Sequence, residues 1–358
     1  MSKYKIGIIA KDILNKKFTG IENYTINMIE EFDKTDEFKF YLYTNHPYKK
    51  KFKNVKIKYL KNKKAWIHTS LYKELMKDNI DLVFSPTPSL PLIKNKTIKQ
   101  VITVHDLFFK YMSERVKTTK FFMKRAVIAT DKIIAVSNYT KKEILNNYKG
   151  VNEKKIKVIY ESYNKKVFRK SKRKEEKNVI NILSVGTITT RKNFTQIVKI
   201  LPIIKEEFGE VKLNIIGKKG DDYDNLIKTI IDFKCKENVN ISGYVSNDIL
   251  KEEYLKNNVF VYTSKEEGFG IPLLEAFAMG IPTVTSDNSA LKEIGEKASI
   301  LVDPNNIMDI ATGVIEAIRR SNDLRELGFI EARKYSWKKT AKLTLDTFRE
   351  LLNEKTSS

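Results

Sequence analysis

Two spacings of apolar residues alternate along the chain. Short apolar runs predict buried strands, and segments with an apolar residue at every third or fourth position predict amphipathic helices. In the first half the predicted strands are 5–10, 39–44, 55–59, 81–85, 99–104, 132–136 and 157–160, and the predicted helices are 21–32, 65–79, 113–130 and 138–148.

The second half repeats this alternation. Its predicted strands are 181–185, 211–216, 239–242, 259–262, 282–285 and 299–302, and its predicted helices are 194–208, 247–257, 272–279, 306–320 and 337–352. Strands that alternate with helices form parallel sheets, so the pattern predicts an α/β protein with two doubly wound domains. The charged segment 167–178 has few apolar residues and is the predicted linker between domains 1–166 and 179–336.

Positive charge is distributed unevenly between the two halves. The net charge is +23, and residues 1–166 hold 36 of the 67 Lys and Arg but 16 of the 44 Asp and Glu. A lysine-rich composition explains the number of lysines but not their concentration in one half. Nucleic acid, an anionic membrane surface and an acidic polymer are the three partners that such a half could bind.

Several classes of protein are excluded by composition. The single cysteine, Cys235, cannot form an internal disulfide, and three scattered histidines form no zinc-binding cluster. No apolar run approaches the ~18 residues that span a bilayer, and the N-terminus lacks a signal-peptide pattern. We therefore expect a soluble, cytoplasmic protein.

The strongest candidate site is the stretch 264–286, where a glycine loop joins a buried strand to a helix. Gly268 and Gly270 allow close approach of a ligand, and the following helix directs unpaired N–H groups towards an anion. Glu267 and Glu275 flank this loop, and carboxylates beside an anion site suggest a ligand that carries hydroxyls as well as phosphates. An ordinary strand–helix turn with a dipole-matched glutamate is the alternative, while Leu273 replaces the third glycine of a dinucleotide fingerprint.

A second candidate is the Arg191-Lys192 pair, which directly precedes the helix predicted at 194–208. Two cations oppose the dipole at a helix N-terminus unless an anion lies between them. Arg191 can pair with two phosphate oxygens, and Lys192 can act as a point charge. A solvated charge pair is the alternative.

A third candidate lies in the first half, where His105 and Asp106 follow a predicted strand. Ligand crevices of α/β sheets form at the carboxyl ends of their strands. The alternative is a strand-end histidine with an aspartate cap. Gly20, at the start of a predicted helix, could approach a phosphate or could simply form a turn.

These motifs resemble the E-x7-E signature of retaining GT-B glycosyltransferases of family four. Glu267 and Glu275 take the two acidic positions, and the match continues through Ala276, Met279-Gly280, Pro282, 289–293 and 301–304. The segments 104–107 and 135–137 resemble the family as well. The resemblance implies two Rossmann-like domains facing a cleft, with the last segment, 337–358, returning to the N-terminal, acceptor-side domain.

The resemblance also implies roles for individual residues. Glu275 would bind ribose hydroxyls, Glu267 would hold hydroxyls of the transferred sugar, and His105 would face that sugar, with Asp106 near the acceptor or supporting the histidine. The diphosphate would be neutralised by Arg191, Lys192 and the loop backbone at Gly268, Phe269, Gly270 and Leu274, with Gly20 as a further phosphate contact. No metal or other cofactor is expected, because these cations and the helix dipole replace it.

The chain departs from the family pattern at several positions. The family usually has Asn-Gly where Glu161-Ser162 stand, an arginine where Thr187 stands, and a second glycine where Thr19 stands. The Arg191-Lys192 pair resembles a variant of the motif that is common among mannosyl-type transferases. This variant favours a donor such as GDP-mannose.

The predicted function is therefore transfer of a sugar, with retention, from a nucleotide donor to a glycan acceptor in surface polysaccharide or lipopolysaccharide assembly. A sugar-nucleotide epimerase or hydrolase on the same fold is one alternative. A basic nucleic-acid-binding protein is another, but no binding motif for nucleic acid is present, so we do not expect this partner. The D-x-D sequence at Asp222 and Asp224 could suggest a metal, but it lies at a predicted helix start.

The basic half suggests a membrane partner. Lysines and arginines alternate with aromatic residues in 110–125, and a second basic-aromatic patch is predicted at 61–66. Such a helix can lie on an anionic bilayer, so peripheral attachment to the inner face of the plasma membrane and a lipid-linked acceptor are expected. In the alternative, Phe121, Phe122 and Met123 belong to the core and the lysines are merely solvated.

Overall fold

The computed structural model describes residues 3–11, 20–47, 50–61, 66–107, 117–174 and 178–356. The chain divides into two compact units. Unit 1 comprises Met1–Glu161 together with Trp337–Ser358, and unit 2 comprises Ser162–Ser336. Each unit is an α/β structure with its own core, and strands and helices are labelled in order along the whole chain.

Unit 1 is built on a parallel sheet whose order, among the residues described, is β3-β2-β1-β4-β5-β6-β7. Its strands are β1 (Lys5–Ile9), β2 (Lys39–Thr44), β3 (Val55–Tyr59), β4 (Leu82–Ser85), β5 (Lys99–Val104), β6 (Lys132–Ala135) and β7 (Ile156–Val158). Its helices are α1 (Gly20–Phe32), α2 (Ser70–Lys77), α3 (Lys117–Ala129), α4 (Asn138–Asn147) and α13 (Trp337–Thr356). The strands β1 and β4 lie at the centre of the sheet and are covered on both faces, so their sequences are nearly continuous apolar runs.

The last helix of the chain packs within unit 1. Phe348 of α13 is fully buried, and its ring centroid lies 5.9 Å from that of Phe32 on α1 and 5.4 Å from that of Phe84 on β4. Trp337, at the start of α13, meets Tyr24 of α1 edge to face. The aromatic layer between α1, α13 and the sheet forms one of the two main cores of this unit.

Unit 2 has a second parallel sheet, whose order in the described residues is β10-β9-β8-β11-β12-β13. Its strands are β8 (Val179–Val185), β9 (Glu210–Ile216), β10 (Val239–Ile241), β11 (Val259–Tyr262), β12 (Thr283–Ser286) and β13 (Ile300–Val302). Its helices are α5 (Phe194–Lys199), α6 (Leu201–Phe208), α7 (Tyr223–Asp232), α8 (Asn247–Lys256), α9 (Ile271–Met279), α10 (Ser289–Gly295), α11 (Ile307–Arg319) and α12 (Ser321–Arg333). The α/β class and the two Rossmann-like sheets predicted from the sequence are confirmed.

Some element boundaries differ from the prediction. The helix predicted at 194–208 is divided between α5 and α6, because Pro202 has no N–H to continue the ladder and instead opens the second helix. The helix α12 was not predicted, because polar residues and Gly328 weaken its apolar periodicity. Its buried face includes Leu324 and Phe329. The helix predicted at 65–79 begins only at Ser70.

The charged segment predicted as a linker is bound to unit 2 over its described part. Phe168 is fully buried and meets Tyr254 edge to face, with 5.8 Å between ring centroids. The backbone N–H of Lys174 donates to the carbonyl of Leu255 at 2.9 Å. Residues 175–177 of the predicted linker lie outside the described residues.

The apolar residues of α3, which the sequence analysis placed in one surface patch, differ in their exposure. Phe121 is 60% exposed and Ile128 is 48% exposed, whereas Phe122 is half-buried and stacks on His68 with 4.8 Å between ring centroids. Met123 packs against the core. The prediction of a second basic-aromatic surface patch is wrong, because Trp66 is 2% exposed and belongs to the core. Residues 62–65 and 110–116 of these two patches lie outside the described residues.

Candidate active site

The glycine loop of unit 2 joins the end of β11 to the start of α9. Gly270 has φ of +115°, a left-handed conformation that disfavours any side chain. A Cβ on Gly270 would also lie 2.9 Å from Cδ2 of Leu291. The next helix contains Pro272 in its first turn and ends at Gly280, whose φ is +65°, as the sequence predicts.

Glu267 is the centre of a buried charge cluster in this loop. Its Oε1 lies 2.6 Å from Nζ of Lys192, and its Oε2 lies 2.6 Å from a guanidinium nitrogen of Arg191. The Tyr262 hydroxyl donates to Oε1 at 3.1 Å. Burial alone would raise the pKa of Glu267, but the charges of Lys192 and Arg191 outweigh it and lower that pKa to about 2. The anion that both cations contact in this structure is therefore a carboxylate of the protein itself.

The two cations are positioned by a short turn that precedes α5. Asn193, with φ of +63°, closes the turn, and its side-chain amide donates to the carbonyls of Thr263 at 3.1 Å and Pro304 at 2.7 Å. The Arg191 carbonyl accepts from the backbone N–H of Lys265 at 2.8 Å. These bonds attach the cation turn to the Glu267 loop, so the cluster has a fixed backbone on both sides.

Lys192 is enclosed by aromatic and backbone surfaces. Its Nζ donates to the Tyr262 hydroxyl at 2.6 Å and lies 4.6 Å from the centroid of the Tyr262 ring. A Cβ on Gly186, whose φ is +152°, would lie 3.0 Å from Cε of Lys192. Gly186 at the end of β8 therefore leaves the space that the lysine side chain occupies.

Glu275 has the opposite electrostatic environment, one turn into α9. Its Oε2 accepts a hydrogen bond from the Tyr254 hydroxyl at 3.2 Å. Burial away from water raises the pKa of Glu275 to about 8, although the hydrogen bond from Tyr254 lowers that pKa in part. Two carboxyl groups of one strand–loop–helix unit thus differ in protonation at neutral pH, with Glu267 ionised and Glu275 largely neutral.

The other residues of this loop that were predicted to bind the donor can offer it backbone groups rather than side chains. Phe269 is buried and meets Tyr335 edge to face, and Leu274 is fully buried in the core. Gly268 is buried beside Phe269. The structure therefore brings Arg191, Lys192 and Glu267 into direct contact and places the glycine loop and Glu275 on the segment that follows.

His105 of unit 1 lies directly after β5 and is held from both sides. Its Nδ1 is 2.6 Å from Oε1 of Glu161, and its Nε2 is 2.8 Å from the carbonyl oxygen of Pro86. Burial alone would lower the pKa of His105, but Glu161 and the Pro86 carbonyl outweigh it and raise that pKa. Asp106 is exposed.

Gly20 is the first residue of α1 and is exposed. A Cβ at Gly20 would meet no atom within 4 Å, so nothing in its described surroundings requires glycine. Residues 12–19, which precede it and include Thr19, lie outside the described residues. A phosphate contact at Gly20 stays a prediction.

A cavity of about 580 Å³ opens within unit 1. Apolar side chains of Ile67, Leu90, Phe122 and Met123 form much of its wall. Its polar lining includes Lys94, Arg125, Glu22, His68 and Gln100. The segment 87–92, which follows β4, supplies one side.

In the described part of the chain, no group of three or more His, Cys, Asp or Glu side chains could hold a metal ion. Asp222 directly precedes α7, as predicted, but its carboxylate accepts from the Asn225 side chain instead of capping a backbone N–H. No helix in the same residues has both the length and the apolar character to cross a bilayer.

Two family models together account for most of the chain. Residues 18–164 match the model described as Glycosyltransferase Family 4, and residues 164–334 match Glycosyl transferases group 1. The chain belongs to glycosyltransferase family 4. The family assignment inferred from the E-x7-E motif is thereby confirmed, and with it the expectation of a glycosyltransferase.

Curated relatives include mannosyltransferases. The chain is 31% identical over 231 residues to the O-antigen chain mannosyltransferase RfbU of Salmonella typhimurium, and 27% identical over 175 residues to the O-antigen chain mannosyltransferase B of Escherichia coli. These matches cover 64% and 47% of this chain, and 62% and 45% of the relatives' own lengths. The chain thus spans less than two thirds of either relative.

Solved structures support the fold. Sucrose-phosphate synthase from Thermosynechococcus elongatus matches with a TM-score of 0.77 at 16% identity, covering 98% of this chain and 100% of that one. WaaG, a glycosyltransferase involved in lipopolysaccharide biosynthesis, matches with a TM-score of 0.72 at 13% identity, covering 96% and 99%. HepE from Anabaena, solved in complex with UDP and glucose, gives 0.72 at 13%, covering 97% and 99%. The family-4 chain therefore has the GT-B fold.

Several residues of the site were not singled out from the sequence. Tyr262 and Tyr254 contact the two glutamates, and Asn193 fixes the cation turn. The position of Tyr262 as the last residue of a strand before the glycine loop was an available signal. Glu161 was noted only as a departure from the family, and its contact with His105, 56 positions earlier in the chain, has no local sequence signal.

Proposed function

We propose that this family-4 protein transfers a hexose, with retention of anomeric configuration, from a nucleoside-diphosphate sugar to a glycan acceptor. The observation that carries the proposal is the contact of Lys192 and Arg191 with Glu267 beside the glycine loop. Two cations and one hydroxyl-binding carboxylate fit the diphosphate and the adjoining sugar of such a donor.

The donor would exchange contacts with this cluster. In the structure Glu267 neutralises both cations, and its ionised carboxylate can instead accept hydrogen bonds from sugar hydroxyls when a diphosphate takes its place beside them. Glu275, one turn into α9, would bind the ribose hydroxyls. Both assignments follow from the E-x7-E resemblance and agree with the positions of the two side chains.

The transfer itself would need no protein nucleophile. The acceptor oxygen forms a bond to the anomeric carbon on the face from which the diphosphate leaves, and the broken carbon–oxygen bond gives its electron pair to the diphosphate. The proton of the acceptor hydroxyl passes to that diphosphate oxygen. Lys192, Arg191 and the backbone of the glycine loop stabilise the developing charge, a contribution of several kcal/mol in comparable sites, so we expect metal-independent turnover.

GDP-mannose is the donor that we propose. The Arg191-Lys192 form of the motif and the names of the two O-antigen mannosyltransferase relatives support this choice. UDP-sugars are the main alternative, since the GT-B structure of HepE contains UDP and glucose.

The acceptor that we propose is a lipid-linked glycan reached at an anionic membrane surface. On α3, the exposed Phe121 and Ile128 alternate with exposed Lys120 and Lys124, an arrangement that suits an interfacial helix. The largely apolar cavity in the same unit, lined in part by Phe122 and Arg125, fits the junction of an apolar chain and an anionic group. Attachment would be peripheral, on the cytoplasmic side.

A ligand panel tests the donor proposal. Thermal unfolding should be measured with GDP, UDP, ADP, GDP-mannose and UDP-glucose, because a ligand that binds only the folded state raises its stability. We expect the largest shift with GDP and GDP-mannose, without added metal. Product analysis with and without a glycan acceptor then separates transfer from hydrolysis or epimerisation, and the anomeric configuration of the product tests retention.

A further inference from the structure

The hydrogen bonds of His105 carry an inference about an acidic residue that the family pattern does not contain. Both ring nitrogens are engaged, Nδ1 with the Glu161 carboxylate at 2.6 Å and Nε2 with the Pro86 carbonyl at 2.8 Å. A carbonyl oxygen can only accept, so Nε2 must carry a proton. A second proton must lie between Nδ1 and Oε1, whichever of the two atoms holds it. The pair therefore contains two protons.

The pair of His105 and Glu161 is largely shielded from solvent and from other side chains. The Glu161 side chain is 5% exposed and that of His105 is 11% exposed. Tyr24 on α1 covers the imidazole edge to face at 4.8 Å, and its hydroxyl is directed to Thr103 at 3.1 Å rather than to the ring. Asp106 is the adjacent acid, and the Thr140 hydroxyl on α4 donates to the backbone carbonyl of His105 at 3.4 Å. Among the residues that the structure describes, Glu161 is thus the ionisable side chain that forms a hydrogen bond with the ring.

Three loops at the carboxyl edge of the unit 1 sheet meet in this contact. Pro86 follows β4, His105 follows β5, and Glu161 comes shortly after β7. The sheet order places β6 between β5 and β7, so the histidine connects non-adjacent strands. The ring plane is fixed at both nitrogens, which leaves the imidazole no freedom to turn.

We propose that Glu161 is a positioning residue that fixes the orientation of His105 and shares a proton with its Nδ1, so that His105 acts as a fixed polar group and not as a base. This inference rests on the proposed function, because it concerns how the acceptor proton leaves. Because Nε2 carries a proton and Nδ1 already shares one with Glu161, the ring cannot take the acceptor proton, which leaves the diphosphate oxygen of the proposed mechanism to receive it. Glu161 therefore excludes one of the two proton routes that a strand-end histidine would otherwise offer.

The experiment is a nitrogen-15 NMR titration of the imidazoles in the full chain without ligand. The sequence contains three histidines, so the signals can be assigned with His46→Gln and His68→Gln. We expect His105 to keep both ring protons, or one ring proton and one shared with Glu161, at pH values above the ordinary imidazole pKa of 6.5, and in Glu161→Gln to lose one at a lower pH than in wild type. Glu153→Gln, an exposed glutamate of the same unit, is the control and should leave the signal unchanged.

A wild-type His105 with an unprotonated Nδ1 and no shared proton at pH 7 overturns the proposal, as does an identical titration in wild type and Glu161→Gln. The wild-type measurement alone decides the first point if the variant does not fold. The pH profile of GDP release from GDP-mannose provides the second readout. We expect Glu161→Gln to gain a titration between pH ~6 and ~8 that the wild-type profile lacks. No turnover with a doubly protonated His105 would refute the proposed function while leaving the pairing intact.

Discussion

Nζ of Lys192 and Oε1 of Glu267 lie 2.6 Å apart, although 75 positions separate the two residues in the chain. The contact joins the turn before α5 to the loop before α9, which the sheet order brings together because β8 and β11 are neighbours. A cation and a hydroxyl-binding carboxylate are thus placed side by side in the proposed donor site.

Removal of the lysine should affect the chemical step strongly. We expect Lys192→Ala to lower turnover of GDP-mannose by ~10²-fold or more, about 2.7 kcal/mol of lost leaving-group stabilisation. Steady-state kinetics checks this, with Lys205→Ala, an exposed lysine of the same unit, as the control. A Lys192→Ala protein within threefold of wild type would remove Lys192 from the diphosphate site.

The carboxylate of the same pair should behave differently from the lysine. We expect Glu267→Gln to lower kcat by ~10²-fold, if its contacts to the sugar tighten in the transition state. Free GDP should bind this variant as tightly as wild type or more tightly, because no carboxylate competes with the diphosphate for Arg191 and Lys192. Calorimetric titration compares the two, and weaker GDP binding would contradict the exchange of contacts.

The raised pKa of Glu275 predicts a pH dependence of stability. Its folded-state value of about 8 exceeds the ordinary value of 4.5, so the folded protein binds this proton more tightly than the unfolded chain does. The contribution is therefore present in full below the ordinary value and is lost as pH rises through the interval up to about 8. We expect unfolding temperatures of wild type to fall over this range relative to those of Glu275→Gln.

An exposed glutamate provides the control for this titration. Glu296→Gln, directly after α10, should follow wild type at every pH. A constant difference in unfolding temperature between wild type and Glu275→Gln across the interval would show that the carboxyl of Glu275 ionises normally. Glu275→Gln retains a carbonyl oxygen that can accept from Tyr254, so loss of this hydrogen bond does not complicate the comparison.

Attachment to membranes should depend on the outer face of α3. Each cation near an anionic bilayer contributes ~1 kcal/mol, so the double variant with Lys120→Glu and Lys124→Glu should reduce vesicle binding strongly. Co-sedimentation with anionic vesicles at low salt measures this, and a Lys205→Glu, Lys212→Glu variant of unit 2 is the control. Equal recovery on neutral and anionic vesicles would exclude the proposed surface.

The sequence predicted most of the fold because both sheets are formed by apolar runs that alternate with amphipathic helices. It also indicated Arg191, Lys192, Glu267 and Glu275 as candidate site residues, because charged residues beside a glycine loop or a helix start stand out within a short segment. The direct pairing of Glu267 with both cations was not predicted, because it depends on the contact between two distant loops. Glu161 and Tyr254 were missed for the same reason, and Trp66 was assigned to the surface because its burial follows from tertiary packing.

Nucleotide binding without metal tests the account most directly. GDP, 2′-deoxy-GDP and UDP should be titrated calorimetrically into wild type and Glu275→Ala in the presence of EDTA. We predict saturable binding of GDP to wild type, a preference of about tenfold over 2′-deoxy-GDP, and loss of that preference in Glu275→Ala, as expected for one hydrogen bond to a polar partner. Absence of binding by both GDP and UDP in EDTA, or an unchanged preference in Glu275→Ala, would contradict the proposed donor site.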